Sequence, residues 1–269
     1  MSTHPSKQTE SDTGVANILW CRLDAPMMSF GGESIDSHSV TRRHPSTSML
    51  TGLIANALGW RHQDSSRLQA LQDALEFAAR ADVPGELITD YQTVDLGQEF
   101  MLDSRAWTTW GKLDERAGQS STGTHIRQRD YIADAVYTIA LSLDPTHAGV
   151  TLEAIAQALN APARPLFLGR KCCLPGPMKA HLIHARNPRQ ALEELIPLSD
   201  RHARLGKHPP ARIELWWTTP EAIFSGAITS RLISDRRDWK NQVHTGQRWM
   251  AQGIMSSEAI TNSLQEQTP

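Results

Sequence analysis

The alternation of strand-like and helix-like segments is the feature that most constrains how this chain can fold. Residues 17–23, NILWCRL, are a short apolar run leading into a loop with proline and glycine, which is typical of a buried strand. Residues 50–58 carry apolar side chains at intervals of three and four, with Ser46 or Ser48 able to cap the helix and Gly59 at its end. The start of the chain therefore predicts a strand followed by an amphipathic helix.

The later segments continue this alternation. Residues 95–130 have weak apolar periodicity and predict an insertion, whose Trp107 and Trp110 either stack on bases or anchor the insertion to protein. With the insertion set aside, the order is βαββαβ, which predicts an α+β, ferredoxin-like fold of the kind found in RNA-recognition motifs. The predicted elements are a short helix at 65–73, a hairpin that turns at Pro84 and Gly85 and returns along 86–94, a strand at 131–143, a helix at 151–160 capped by Thr151, and a closing strand at 165–173.

The two ends of the chain carry weaker signals. Residues 1–14 are polar and predict a flexible tail, Asn187 with Pro188 predicts the start of a short helix, and 211–219 predicts another strand. No apolar run approaches the roughly 18 residues of a membrane span. Three cysteines in 269 residues are too few for a disulfide framework, so we expect a cytoplasmic protein without membrane contact.

Charge is strongly segregated along the chain, although the whole sequence has a net charge of only −2. Residues 61–104 hold three cations and nine acids, whereas residues 161–192 hold six cations and no acid. Local fields, rather than the charge of the whole chain, attract polyanions. The pattern favours a subunit that grips nucleic acid on one side and meets protein on the other. The alternative is solvated charge that is merely unevenly distributed.

The sequence lacks the common signatures of catalysis and metal binding. Cys172 and Cys173 are adjacent, and neighbours on a strand point to opposite faces, so they cannot easily share one ion. His181 and His184 are spaced to share a helix face, but no third ligand is near them in the sequence. There is no P-loop, no GxSxG elbow and no HExxH motif. We therefore predict no metal and no cofactor.

A metal-free endoribonuclease is the alternative function, because such an enzyme needs only a base and a cation beside an RNA 2′-hydroxyl. The side chains available for these roles are Tyr91, Lys112, His125 and Lys171. Residues of these types are common, so their presence alone is weak evidence.

The segment RPLFLGRK, at 164–171, is best interpreted as a phosphate cradle. Gly169 lets a backbone approach closely and leaves its amide accessible, while Arg164, Arg170 and Lys171 supply charge-assisted contacts. Further cations that can join the site are Arg42 with Arg43, before the first helix, and Arg127 with Arg129, at the base of the insertion. For Arg42 and Arg43, a position in a simple solvated loop is an equal alternative.

Six segments in this order resemble the CasD family: LTGLIANALGW, LQALQDALEFAARAD, DYQTV, YIADAVYTIALSL, PLFLGRKCCLPGP and NPRQALEEL. This family supplies the subunit of the type I-E CRISPR surveillance complex Cascade that caps the 5′ handle of the guide RNA. The resemblance implies a ferredoxin-like core of the RAMP superfamily at 15–195, with a long β-hairpin thumb at about 90–131. Residues 196–269 would then be a small, partly irregular C-terminal extension containing β-structure, and 1–14 would be an additional tail.

The resemblance also implies a non-catalytic role. The core and thumb would hold the 5′ handle, the subunit would pack against the backbone subunit and the large PAM-reading subunit, and target DNA would be met only through the complex. Base pairing would read the sequence while the protein reads backbone and shape. Endonucleolytic processing of precursor guide RNA is the alternative. The residues implied are Gly169, Arg170 and Lys171 as handle contacts, Tyr91 and Gln92 at the root of the thumb, and Arg127 and Arg129 where the thumb returns.

Overall fold

The computed structural model describes residues 14–32, 34–35, 37–95, 106–107, 113–114, 124–144, 146–147, 149–219 and 226–257. The helices are α1 (Thr47–Ala57), α2 (Ser65–Ala74), α3 (Leu152–Asn160), α4 (Pro188–Gln190, continued by a π-helical turn at Ala191–Leu195) and α5 (Arg201–Arg204). None of the described helices is long and apolar enough to span a membrane.

The strands of the described residues range from two to ten residues in length. They are β1 (Ala16–Asp24), β2 (Met27–Met28), β3 (Ser34–Ile35), β4 (His38–Ser39), β5 (Leu75–Val83), β6 (Glu86–Asp95), β7 (Ala106–Trp107), β8 (Leu113–Asp114), β9 (Thr124–Ala133), β10 (Val136–Leu143), β11 (Ala180–Ala185), β12 (Arg212–Thr219), β13 (Thr229–Ile233), β14 (Arg237–Asp238), β15 (Val243–His244) and β16 (Arg248–Ser256).

The longest sheet has seven strands in the order β11-β1-β10-β5-β12-β16-β13, and all neighbours in it are antiparallel. Its fourth strand along the chain is β11, so the predicted closing strand at 165–173 is wrong. Prolines and glycines interrupt residues 164–177, and Leu168 and Cys173 bond within the loop, where the Leu168 amide donates to the Cys173 carbonyl at 2.8 Å. The closing strand of the sheet, β11, forms only after this loop. His181 and His184 lie on β11 and not on the predicted helix.

Side chains of β1 alternate between the two faces of this sheet. Leu19, Cys21 and Leu23 are buried against α1 and α3 in the main core. The predicted helix at α1 is confirmed, and Ser46 is its cap, since the Ser46 hydroxyl accepts the Met49 amide at 3.2 Å. The predicted helices at α2 and α3 and the cap at Thr151 are also confirmed.

The opposite face of the sheet is covered by residues 188–199. There Arg80 and Asp82, both fully buried, form an ion pair with 2.6 Å between Nε and Oδ1. The Arg80 guanidinium also donates to the Ile196 and Pro197 carbonyls, at 2.9 and 3.0 Å. Asp82 Oδ2 accepts the Ser199 amide at 2.7 Å. This ion pair therefore fastens the segment to the sheet.

A second pair of strands leaves the large sheet. β6 pairs with β9 over ten residue pairs and not with β5, so the hairpin predicted at Pro84 and Gly85 is wrong. The predicted strand at 131–143 is likewise divided, between β9 and β10, by Asp134 with a φ of 53°. Gly85 has a φ of +66°, and a Cβ there would lie 2.4 Å from the Ala133 carbonyl oxygen. Both chain segments therefore turn at one place, where they leave the sheet to form the β6–β9 ribbon.

The C-terminal part adds strands to the large sheet. The strand predicted at 211–219 is confirmed as β12, which pairs with β5 and β16. The following residues, which carry little periodicity in the sequence, contain β13 to β16. These strands lack an alternating pattern because their burial does not alternate, and β16 has neighbouring buried residues at Met250 and Ala251.

Candidate nucleic-acid interface

A cleft of about 920 Å³ opens beside α1 and contains four of the residues predicted for a phosphate site: Arg42, Arg164, Gly169 and Arg170. The loop at 29–32 and the segment at 234–244 form its other walls. The one acidic residue in this lining is Asp235, whose carboxylate accepts two hydrogen bonds from Arg248, at 2.8 and 2.6 Å. The cleft is therefore predominantly cationic.

Gly169 allows another segment of the chain's own backbone to approach closely at this site. It has a φ of +86°, and a Cβ there would lie 1.6 Å from the Ser29 carbonyl oxygen. The Ser29 amide donates to the Leu168 carbonyl at 3.1 Å, which holds the two loops together. The glycine is required for a close approach, as the sequence suggested, but the approaching backbone is that of Ser29.

Arg170 joins the cleft to the ribbon. Its guanidinium donates to the Asp130 carbonyl at 2.8 Å and to the Ser39 carbonyl at 2.9 Å. It also lies over the Tyr131 ring, with 4.6 Å between Cζ and the ring centroid. Arg170 is half-buried and lines the cleft, whereas Lys171 beside it is exposed. Arg170 therefore has a positioning role in the fold whatever else it contacts.

The other predicted arginines divide between the cleft and the surface beyond it. Arg42 donates to the Ser234 carbonyl at 3.3 Å, and exposed Arg164 donates to the Trp60 carbonyl. Arg43 does not line the cleft and lies near Glu214, with 3.9 Å between Nε and the carboxylate. The predicted pair Arg42–Arg43 is thus split between two environments.

The two faces of the β6–β9 ribbon carry different residues. Partners in the ladder share a face, so Asp90, opposite Arg129, and Gln92, opposite Arg127, lie with these arginines on what we call the arginine face. Arg129 donates to the Gln92 side-chain oxygen at 3.2 Å, and Tyr131, under Arg170, lies on the same face. The arginine face is therefore continuous with the cleft.

Tyr91 lies on the opposite face of the ribbon. Together with Leu87 and Ile126 it forms what we call the tyrosine face, and the three residues are 56%, 58% and 42% exposed. The structure thus separates Tyr91 from the cations with which the sequence grouped it.

Two carboxylates anchor the walls of the interface. Burial alone raises the pKa of Asp235, but hydrogen bonds and charge from Arg248 outweigh it, so that this pKa lies below its ordinary value. Burial also opposes ionisation of Asp130, and hydrogen bonds from His38 and Thr89 again bring its pKa below the ordinary value. Both groups are therefore ionised at neutral pH and hold neighbouring segments in place.

The residues considered for metal binding or nuclease chemistry do not converge. Within the described residues, no three His, Cys, Asp or Glu side chains are placed to hold a metal ion. Cys173 is buried while Cys172 is exposed. His125 and Tyr91 lie on opposite ribbon faces. Lys112 and Trp110 lie outside the described residues, and for Trp107 only its place in β7 is described.

Several residues of the cleft have no counterpart among those singled out from the sequence. Two sequence signals could have pointed to them, since GWRH at 59–62 and RRDWK at 236–240 each place a tryptophan beside cations. The additional cleft residues are the aromatic Trp60, Phe167 and Trp239 and the basic or titratable Arg61, His62, Arg237 and His244.

Comparison with known proteins decides the family. A family model described as "CRISPR-associated protein (Cas_Cas5)" matches residues 18–251. The protein named "CRISPR system Cascade subunit CasD" from Escherichia coli (strain K12) is 33% identical over 183 residues, which cover 68% of this chain and 78% of that protein. The chain belongs to the CasD family.

Two solved structures share the fold over most of the chain. One, described as "CRISPR RNA-guided surveillance complex", aligns with a TM-score of 0.59 at 24% identity, covering 93% of this chain and 98% of that one. Another, described as "Crystal structure of Cas protein", aligns with a TM-score of 0.59 at 23% identity, covering 90% and 97%. The shared fold therefore extends beyond the 183 residues aligned with the Escherichia coli protein.

Proposed function

We propose that this CasD-family chain is a non-catalytic subunit of a type I-E Cascade complex that caps the 5′ handle of the guide RNA. The observation that carries the proposal is the cationic cleft, continuous at Arg170 with the arginine face of the ribbon. Together the two surfaces offer a path for one flexible, negatively charged strand.

The cleft suits the handle because it combines cations with aromatic rings. Arg61 and Arg164 are exposed at the cleft and supply charge for phosphates. The half-buried rings of Phe167 and of Trp60, which Arg67 covers on one side, line the cleft beside them and can meet unpaired bases. A single-stranded RNA end presents both groups, whereas a duplex hides its bases. Lys171, exposed beside the cleft, adds a further phosphate contact.

The arginine face suits the RNA as it leaves the cleft. Arg127 and Arg129 are two residues apart on the same face of β9, so they can contact successive phosphates. The strand order β11-β1-β10-β5, together with α1 and α3 on one face, supports a ferredoxin-like core in which the ribbon is the thumb. A thumb that carries cations on one face can bend the guide where the spacer begins.

The tyrosine face supports the proposed protein contacts. Leu87, Tyr91 and Ile126 expose apolar side chains on the side of the ribbon opposite to the arginine face, as expected where the backbone subunit packs against the thumb. The large PAM-reading subunit and target DNA would then be reached through the assembled complex.

Co-purification tests the proposal. The tagged chain is expressed with the other proteins of its operon, and the RNA that elutes with it is sequenced. We expect guide RNAs that share one 5′ repeat fragment, and we expect their recovery to fall for Arg61→Ala/Arg164→Ala but not for Arg231→Ala, an exposed arginine of β13 outside the cleft. Recovery of the tagged chain without RNA, or recovery of equal amounts of guide RNA with the two variants, would overturn the proposal. Metal-independent cleavage of a labelled repeat RNA by the purified chain would instead establish the nuclease alternative.

A further inference from the structure

A second surface, apart from the cleft, lies at the edge of the seven-stranded sheet. β11 pairs only with β1 among the described residues, which makes it an edge strand. Trp20 and His181 stand opposite each other in this pair, and their rings stack with 4.7 Å between centroids and 27° between planes. The Arg22 guanidinium carbon lies 5.2 Å from the centre of the Trp20 ring.

The stacked rings lie on the sheet face opposite to α1 and α3. Leu19 and Cys21, which flank Trp20 in β1, are buried against those helices, so Trp20 points the other way. His181 is exposed. Because Trp20 covers the inner side of the imidazole, the other ring face points beyond β11 toward the open edge.

Cations flank this edge strand. Exposed Lys179 comes directly before β11, two residues before His181, and exposed Arg186 follows it, about 23 Å from Lys179 along an extended strand. Arg186 lies 3.8 Å from Glu194, and no acidic residue occurs between 161 and 192. None of these edge residues lines the cleft.

We propose that the outer face of the His181 ring, which extends the Trp20 stack, is a base-stacking site for single-stranded nucleic acid. A base that stacks on the imidazole continues the stack of rings. Lys179, two residues from His181, contacts a phosphate next to that base, and Arg186 contacts one further along the nucleic-acid strand. Stacking on an aromatic ring uses the flat face of a base and reads neither its hydrogen-bonding groups nor the sugar. The site therefore accepts any base, in RNA or in DNA. The proposal goes beyond handle capping, because it uses another part of the molecule and requires no 5′ end.

An ordinary structural role for the pair makes a different prediction. Cross-strand aromatic pairs stabilise sheets, so a purely structural His181 would affect unfolding and leave nucleic-acid binding unchanged. His184 provides a matched control, because it is also an exposed histidine of β11 but lies on the other face of the strand.

The test uses the full chain with Arg61→Ala and Arg164→Ala, so that the cleft contributes little. Short oligouridylate RNA and the corresponding DNA, each with one photoreactive 5-iodouracil base, are cross-linked to it, and the modified peptides are identified by mass spectrometry. We expect cross-links at His181 or Trp20 for one or both oligomers. We expect His181→Ala to weaken binding by roughly fivefold or more, while His181→Phe and His184→Ala bind as before.

Either of two results would overturn the proposal. One is cross-linking with no adduct on β1 or β11. The other is equal affinity for His181→Ala and His184→Ala. Because the cleft is already altered in this chain, neither result bears on handle capping. Thermal unfolding of each variant separates loss of binding from loss of folding. If His181→Ala unfolds, the cross-linking experiment still tests the proposal, because it uses the chain with His181 in place.

Discussion

Arg80 behind the sheet and Arg164 at the cleft are the same residue type in opposite situations. Arg80 is fully buried, and its guanidinium is bound by Asp82 and by carbonyls of residues 192–197. Arg164 is exposed and donates to one carbonyl, that of Trp60. The comparison teaches that a cation identifies a binding surface only when the chain's own acceptors leave it accessible. Arg170 is intermediate, because it is held by two carbonyls and still lines the cleft.

The largest expected effect comes from breaking the pair behind the sheet. Arg80→Ala leaves buried Asp82 with only the longer contact to Arg22, at 3.9 Å, and removes the hydrogen bonds to the carbonyls at 192–197. We therefore expect the free energy of unfolding to fall by about 3–5 kcal/mol. Urea unfolding followed by circular dichroism measures it. Arg231→Ala, on the exposed side of β13, should stay within about 0.5 kcal/mol of the parent. A loss for Arg80→Ala as small as that of Arg231→Ala would show that the buried ion pair does not stabilise the fold.

Arg170→Lys should give the intermediate result. A lysine keeps the charge but cannot reach two carbonyls with one planar fork, so we expect a stability loss of roughly 1.5–3 kcal/mol. Thermal or urea unfolding checks this value. Unchanged stability would mean that the guanidinium does not join the loop to the ribbon.

Gly169→Ala tests the close approach at the cleft wall. The alanine Cβ would clash with the Ser29 carbonyl as well as occupy a positive φ, so we expect a loss of about 1–3 kcal/mol. Gly206→Ala is the control, since Gly206 has a φ of +65° but no atom within 4 Å of the added Cβ. Equal losses in urea unfolding for the two variants would show that only the backbone angle matters.

The smallest stability effect is expected from pH and concerns His44, the neighbour of Arg43 in sequence. Burial lowers the pKa of His44 to about 4, so between pH 6.5 and 4 the unfolded chain binds more protons at this residue than the folded chain. Its contribution is therefore fully present above pH 6.5 and is lost as the pH falls toward 4, by about 1–2 kcal/mol between pH 7 and 5. Urea unfolding at pH 7 and pH 5 gives the change in the free energy of unfolding between the two pH values, and we expect this change to be smaller for His44→Gln than for the parent chain. An identical difference in the two proteins would contradict the burial of a neutral His44.

Much of the scaffold follows from local sequence patterns. The cap at Ser46, the spacing in α1 and the apolar run in β1 are short-range signals, and each gave the observed element. The closing strand was misplaced because RPLFLGRKCC is apolar like a strand, while its bonds to Ser29 depend on a contact distant in sequence. The cleft is built from loops at 29–32, 164–170 and 234–244, and no local pattern states that these meet. Ribbon faces were not predicted either, because the register of β6 on β9 decides which residues lie beside Tyr91.

The most direct test of the central claim is the salt dependence of handle-RNA binding. Arg164→Ala and Arg231→Ala are compared with the parent chain, each titrated with a labelled 5′-handle RNA at several salt concentrations. We expect about tenfold weaker binding for Arg164→Ala, with a slope of log affinity against log salt that is shallower by about 0.7, and no change for Arg231→Ala. Equal affinities and slopes for the three proteins would contradict the claim that the cleft holds the handle.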